Sequence, residues 1–278
     1  MIPAPDPVVV PTSYETVPTK DIKVSHYPEG AETATPVVVV TLNRPKKQNA
    51  FTLQMMHDFE KVFPMFDVDE RVKVVVITGA GKAFCAGADL EIGFSSGAGK
   101  ERIMDHRDSI GYEGGKYGFV FARRGITMES SSSFFLPRLI GFSRASYLLT
   151  TGEVFPPNSP HFGPLFQETL PDASKVLPRA LELATNIAEN VSPLASYLNR
   201  ALMWHNPGTA EGTHLVDSAV LYHMFSARDQ EEGVQAFFQK RKPNFKATLE
   251  EDAPPNFPWW NEVDTGSRPK AAKPQSKL

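Results

Sequence analysis

At 278 residues, with 41% hydrophobic and 22% charged positions, the chain can bury a sizeable core, as one large domain or as a domain with a helical appendage. A net charge of -3 with scattered basic residues gives no sign of a nucleic-acid footprint; the one short cluster, Lys240-Arg241-Lys242, reads as a solvated helix end. Cys85 is the only cysteine, so no internal disulfide can form and a reducing compartment is expected, and no run of about 18 apolar residues offers a membrane span.

The first stretch, 1–18, is rich in Pro, Val and Thr without a basic leader, so it is not expected to be a secretory signal. Asp21 to His26 and Pro36 to Leu42 read as two strands around the polar turn Pro28-Glu29-Gly30. Thr52 is placed to cap a helix with apolar positions at Leu53, Met56, Phe59, Val62 and Phe63, weakening near Pro64. Val72 to Ile77 is nearly all apolar and β-branched, the pattern of a strand buried on both faces. Strand, helix and strand in this order imply a right-handed parallel crossover. That second strand leaves through Thr78-Gly79-Ala80-Gly81 into a turn of small residues, Phe84-Cys85-Ala86-Gly87-Ala88-Asp89-Leu90. Small residues let a ligand approach the main chain, so that peptide N–H groups do the binding. Cys85 reads as a small filler beside this turn rather than as a nucleophile.

Beyond the turn, Glu91 to Gly115 is rich in Gly and charge and has no period, and Lys116 to Ala122 reads as a short strand. Helical patterns follow over Glu129 to Leu139, Ser143 to Thr151, Ala173 to Asn190, Pro193 to His205, Ala210 to Phe225 and Asp229 to Arg241. From Glu250 the chain, with Ala253-Pro254-Pro255-Asn256-Phe257-Pro258-Trp259-Trp260, reads as an extended tail. The resulting division is 1–35 for an N-terminal extension and first strand, 36–165 for the core, 166–249 for a helical region and 250–278 for the tail. Ser276-Lys277-Leu278 at the end is the peroxisomal import tripeptide, which implies an import receptor as partner and a peroxisomal location.

Other chemistries have weak footing. Gly93-Phe94-Ser95-Ser96-Gly97 fits a serine-hydrolase elbow, but Gly97-Ala98-Gly99-Lys100 is a poor helix start. Gly79-Ala80-Gly81-Lys82 lacks the spacing and the Ser/Thr of a phosphate loop. The seven histidines show no ligand spacing, so no metal is expected.

The turn 86–90, with Asn43-Arg44-Pro45 and Asn49-Ala50 upstream, resembles the crotonase (enoyl-CoA hydratase/isomerase) superfamily. The resemblance covers roughly residues 20 to 245 and is strongest at Val37 to Phe51, Val72 to Glu91 and Tyr112 to Thr151. It implies an α/β fold of stacked ββα turns with a C-terminal helical region, a trimer or a dimer of trimers, and an enzyme acting on acyl-CoA. No cofactor is implied, because coenzyme A is part of the substrate. Ala86, Gly87, Ala88, Asp89 and Leu90 would line the ligand, and the Ala88 N–H would face the thioester oxygen. Removing a proton beside a thioester makes an enolate, and one donor preorganised toward its oxygen is worth about 2.7–4 kcal/mol.

Hydratases of this family carry two glutamates; Phe121 stands at the place of the second. Gly125-Ile126-Thr127-Met128-Glu129 and the following residues resemble instead the peroxisomal Δ3,Δ2-enoyl-CoA isomerase branch. In that branch a glutamate at the position of Glu129 is the sole base, taking a proton from C2 and returning it at C4. Glu129 also has a plain structural reading, as an acid in the first turn of a helix capped by Thr127. The pattern is most similar to filamentous-fungal members, in fatty-acyl metabolism or in secondary-metabolite and toxin biosynthesis. One departure stands out: Asp108-Ser109-Ile110-Gly111 runs directly into Tyr112, so roughly 40 residues, a strand and a helix with their connections, are expected to be absent. That segment would carry the second oxyanion donor. Gly111, Gly114 and Gly115 are not expected to replace it, because no buried strand is expected before them.

Overall fold

A computed structural model describes residues 8–87, 89, 110–112, 114–128, 132–225 and 227–261. The chain divides into two compact units, Met1–Ala188 and Glu189–Leu278.

The first unit is built on three strands, β1 (Ile22–Tyr27), β2 (Val37–Leu42) and β3 (Val74–Gly79), in the order β1-β2-β3. β1 pairs antiparallel with β2, Ile22 opposite Leu42, and β2 pairs parallel with β3, Val37 opposite Val74. The parallel pair is joined by α1 (Leu53–Val68), as the strand–helix–strand order requires. Alternation then assigns the faces. Val38, Val40 and Leu42 meet Met55, Phe59, Val62 and Phe66 of α1, while Val37, Val39 and Val76 meet Ala184 and Ala188 of α4 (Val176–Asn190). Covered on both faces, β2 keeps five of its six residues buried. At about 1.5–3 kcal/mol for each buried aliphatic side chain, this strand holds much of the core.

β3 departs from the expectation of full burial: only Val76 is buried, and its neighbours are half-exposed. The reason is topological. Among the described residues β3 is the last strand of its sheet, and an edge strand has a neighbour on one side only. The remaining strands form two separate pairs, β4 (Ile110–Tyr112) parallel to β7 (Glu168–Leu170), and β5 (Tyr117–Gly118) antiparallel to β6 (Val154–Phe155). The short strand β4 precedes Gly114 and Gly115; among the described residues a turn and β5 follow it, with no helix start.

β5 is also shorter than the strand expected over Lys116 to Ala122, because the chain turns at Ala122–Arg124 and Gly125 adopts a φ of 70°. α1 continues past Pro64, held by the buried Val62 and Phe66 on either side. α2 (Ser132–Ile140) and α3 (Phe142–Thr151) form a hairpin whose Leu136, Ile140, Ala145 and Leu148 close on Phe162, Tyr117 and Phe155.

The second unit holds α5 (Pro193–Trp204), α6 (Ala210–Met224), α7 (Arg228–Gln239) and the short α8 (Leu249–Asp252). Its hub is the buried Asp229, which accepts from Ser192 Oγ at 2.6 Å and from the N–H groups of Lys246 and Ala247 at 2.9 and 3.0 Å. The part of the tail through 261 is not free. Phe257 and Trp259 pack against Leu194, Leu198 and Val220, and Trp259 Nε1 donates to the His205 carbonyl at 3.1 Å. Burying the bulky aromatic surface of Phe257 and Trp259 on a helical face favours this docking. Several apolar side chains of this unit stay outside, Tyr222, Phe237 and Phe238 each more than three-quarters exposed.

Candidate active site

Two loops meet at the carboxyl ends of β2 and β3. The first, after β2, passes through a tight turn at Pro45–Lys47 and reverses at Gln48 and Asn49, whose φ values are 50° and 55°. Asn is among the few residues that tolerate this left-handed conformation. The Asn49 side chain is fully buried and wholly used: Nδ2 donates to the carbonyls of Ala80 at 2.9 Å and Ala83 at 2.7 Å, and Oδ1 accepts from Arg44 N–H at 2.9 Å. It therefore sews the loop after β2 to the loop after β3.

The second loop is the small-residue turn. Gly79 opens it, and a Cβ there would stand 2.5 Å from the Phe84 carbonyl oxygen and 2.6 Å from that of Ala83, so only glycine lets the chain fold back this tightly. Ala86 N–H donates to the Gln48 carbonyl at 3.0 Å, Phe51 N–H to the Gly87 carbonyl at 2.8 Å, and Asp89 N–H to the Phe51 carbonyl at 2.9 Å. The groups on either side of residue 88 are thus both tied to Phe51. Gly87 has a φ of 92°, and among the described residues nothing lies within 4 Å of where a Cβ would be. Cys85 is half-buried against the α1-side core, and its sulfur accepts the Gly87 N–H at 3.4 Å, a packing role as expected.

Arg44 braces the turn from below. Its Nη1 lies 2.9 Å from Asp89 Oδ2 and donates to the Ala50 carbonyl at 2.6 Å, and its Nε lies 3.6 Å from Asp21 Oδ2. The same Asp21 carboxylate accepts from Thr52 Oγ1, which caps α1 through Met55 N–H at 2.9 Å. Of the residues expected at the site, Ala86, Gly87 and Asp89 are brought together here. Ala88, Leu90 and Glu129 lie outside the described residues, as do Ser276, Lys277, Leu278 and the Gly93–Gly97 motif. Phe121 begins the turn ahead of Gly125, its carbonyl accepting from Arg124 N–H at 2.9 Å. Among the described residues no His/Cys/Asp/Glu group could hold a metal ion, and no helix is long and apolar enough to cross a membrane.

Strong pKa perturbation in this unit lies elsewhere, at the docked N-terminal segment. The buried Tyr14 hydroxyl donates to Asp69 Oδ2 at 2.8 Å, and burial pushes that phenol upward. Burial alone would raise Asp69 as well, but hydrogen bonds from Arg71 and Tyr14 outweigh it and hold the carboxyl below its usual range. This cluster fastens 11–14 to the end of α1 through Arg71, which also donates to the Pro11 carbonyl at 2.6 Å. A fully satisfied, ion-paired group of this kind is structural.

Fold and loops together define an α/β protein with a small-residue turn, its described part fixed by main-chain hydrogen bonds, at the carboxyl end of a parallel strand pair. The family profile for enoyl-CoA hydratase/isomerase matches residues 32–113 and 93–248. The chain is 39% identical to enoyl-CoA hydratase AFT3-1 of Alternaria alternata over 254 positions, covering 78% of this chain and 85% of that one. It is 38% identical to enoyl-CoA hydratase ACTT3 of the same fungus over the same shares. A probable enoyl-CoA hydratase/isomerase from Mycobacterium abscessus superposes with a TM-score of 0.69 at 25% identity, over 82% of this chain and all of that one. The chain belongs to the enoyl-CoA hydratase/isomerase family. Its members are enzymes, and an acyl-CoA is the substrate class that fits. Since 78% of 278 residues is about 217, the alignment with AFT3-1 runs about 37 positions beyond what this chain contributes. That excess is close in size to the segment expected to be absent, and the two profile matches overlap across 93–113.

Arg44 and Asn49 stood in the motifs that carried the family resemblance, but their work at the turn was not readable there. Nothing in a linear sequence shows that an arginine reaches a carboxylate 45 positions away.

Proposed function

We propose that the chain is an enoyl-CoA isomerase that moves a 3-enoyl-CoA double bond to the 2-position through a thioester dienolate. The observation that supports this reading is the small-residue turn, tied to Phe51 on both sides of residue 88, with no described atom within 4 Å of a Cβ position on Gly87. In this mechanism the Ala88 N–H donates to the thioester oxygen. The Glu129 carboxylate removes a proton from C2, and the electron pair spreads through the carbonyl to its oxygen. The protonated Glu129 then delivers the proton to C4, which shifts the double bond and regenerates the base. Phe121 leaves no second carboxylate to orient a water, which favours isomerisation over hydration.

Hydration is the second reading, favoured by the printed names of the two Alternaria relatives. The shortened stretch bears on rate under either reading. Without a second oxyanion donor, kcat would fall about 10²–10³-fold below that of a complete site, and a low-activity acyl-CoA-binding or partner subunit is the limiting case. The exposed Tyr222, Phe237 and Phe238 support the proposal of a trimer or hexamer, and Ser276-Lys277-Leu278 that of peroxisomal import. Fatty-acyl or secondary-metabolite pathways would use such an activity.

The purified chain with 3-enoyl- and 2-enoyl-CoA tests the reading. The double bond of the first should migrate, with the step lost in Glu129→Gln. Double-bond migration that is absent in wild type, or that persists unchanged in Glu129→Gln, would refute isomerisation through this residue.

A further inference from the structure

We infer that Arg44 is a positioning residue of the oxyanion turn, acting through Asp89 to fix where the turn's main-chain donor sits. The inference rests on the acyl-CoA reading above and deepens it. One guanidinium nitrogen reaches both sides of the bridge: Nη1 holds the Ala50 carbonyl at 2.6 Å, just before Phe51, and lies 2.9 Å from Asp89 Oδ2, just after residue 88. The Nε approaches Asp21, whose N–H is held by Asp58 at 2.7 Å and whose carboxylate accepts from the Thr52 cap. The turn is thereby referred to the start of β1 and the first turn of α1.

Stability alone is a poor account of this arrangement. The Asp89 side chain is only 6% exposed and that of Arg44 19%, and taking both charges out of water offsets most of their attraction. An apolar pair of similar size would serve a purely structural purpose as well. What an apolar pair cannot do is fix direction. The guanidinium plane aims Nε toward Asp21 while Nη1 serves the Ala50 carbonyl and the Asp89 carboxylate, so three approaches are set together, and a lysine ammonium, a point charge without that plane, cannot reproduce them. A donor displaced by a fraction of an ångström still allows binding but polarises the thioester less, so the effect falls on kcat rather than on KM.

The test is vibrational and kinetic, on the full chain. Raman difference spectra of bound 2-enoyl-CoA read the thioester carbonyl stretch, which shifts when a donor engages the oxygen, whether or not turnover follows. Asp89→Asn should return that band most of the way to its value in water and lower kcat roughly 10–100-fold with KM little changed. Arg44→Lys, which keeps the charge, should give an intermediate band position and decides the matter if Asp89→Asn does not fold. A wild-type band that does not shift on binding, or variants that lose thermal stability while the band and kcat stay as in wild type, would overturn the proposal. Failure of the isomerase reading is distinguishable, because it would remove double-bond migration while leaving the band shift and its dependence on Arg44 in place.

Discussion

In an Asn49→Ala variant three hydrogen bonds disappear from a fully buried position: two given to the carbonyls of Ala80 and Ala83 and one taken from Arg44 N–H. At about 1 kcal/mol net for each, with more for partners left buried and unmet, the loss is roughly 3–4 kcal/mol. Asn49 also holds a φ of 55°, which an alanine adopts at a cost of about 1 kcal/mol. The sum, roughly 4–5 kcal/mol, approaches the whole stability of an ordinary domain. Denaturant titration followed by far-UV circular dichroism should show this, and hydrogen exchange should show peptides over 80–87 losing protection. Asn49→Gly is the internal control, because it removes the same bonds without the backbone penalty and should recover about 1 kcal/mol. A destabilisation below about 1 kcal/mol for Asn49→Ala, or full protection of 80–87, would refute the assignment of Asn49 as the tie between the loops.

Gly79→Ala places a methyl group 2.5 Å from the Phe84 carbonyl oxygen, so the turn must move, and titration calorimetry should show acyl-CoA binding weakened by at least tenfold, about 1.4 kcal/mol. Asp69 is held below its ordinary value of 3.8, so its contribution is complete above that pH and is lost as pH falls through the lower folded value. Acid titration of Asp69→Asn should accordingly be flatter below pH 3.8 than that of wild type. Asp229→Ala leaves Ser192 Oγ and two main-chain N–H groups unmet and should destabilise the second unit by about 3 kcal/mol. Tryptophan fluorescence checks it directly, since Trp204, Trp259 and Trp260 are the only tryptophans and all lie in that unit.

The strands β1 and β2, the crossover helix, its Thr52 cap and six later helices were legible from local patterns, because alternation, periodicity and capping are properties of neighbouring residues. α4 shows the limit of that reading. Its expected first turn, at Ala173–Lys175, is a tighter 3-10 turn, since Asp172 accepts from Ser174 N–H at 2.9 Å and sets the local winding. β4, β6 and β7 are two or three residues long and are strands only by virtue of a distant partner, as with Ile110 and Glu168. The folded-back aromatic tail is of the same kind: its composition suggested an extended tail, and only the helical face that receives Phe257 and Trp259 makes it part of a core.

By itself the sequence determined the small-residue turn, the family it belongs to and the phenylalanine at position 121. These are statements about which groups exist at which positions. The tertiary structure decided how the groups are held. It made Val74–Gly79 the last strand of its sheet among the described residues, spent the Asn49 side-chain nitrogen on joining two loops, and brought Arg44 to Asp89 and Ala50. The physical reason is range: strand and helix signals reside in neighbouring residues, whereas burial and hydrogen bonding across loops exist only once separate segments have closed on one another.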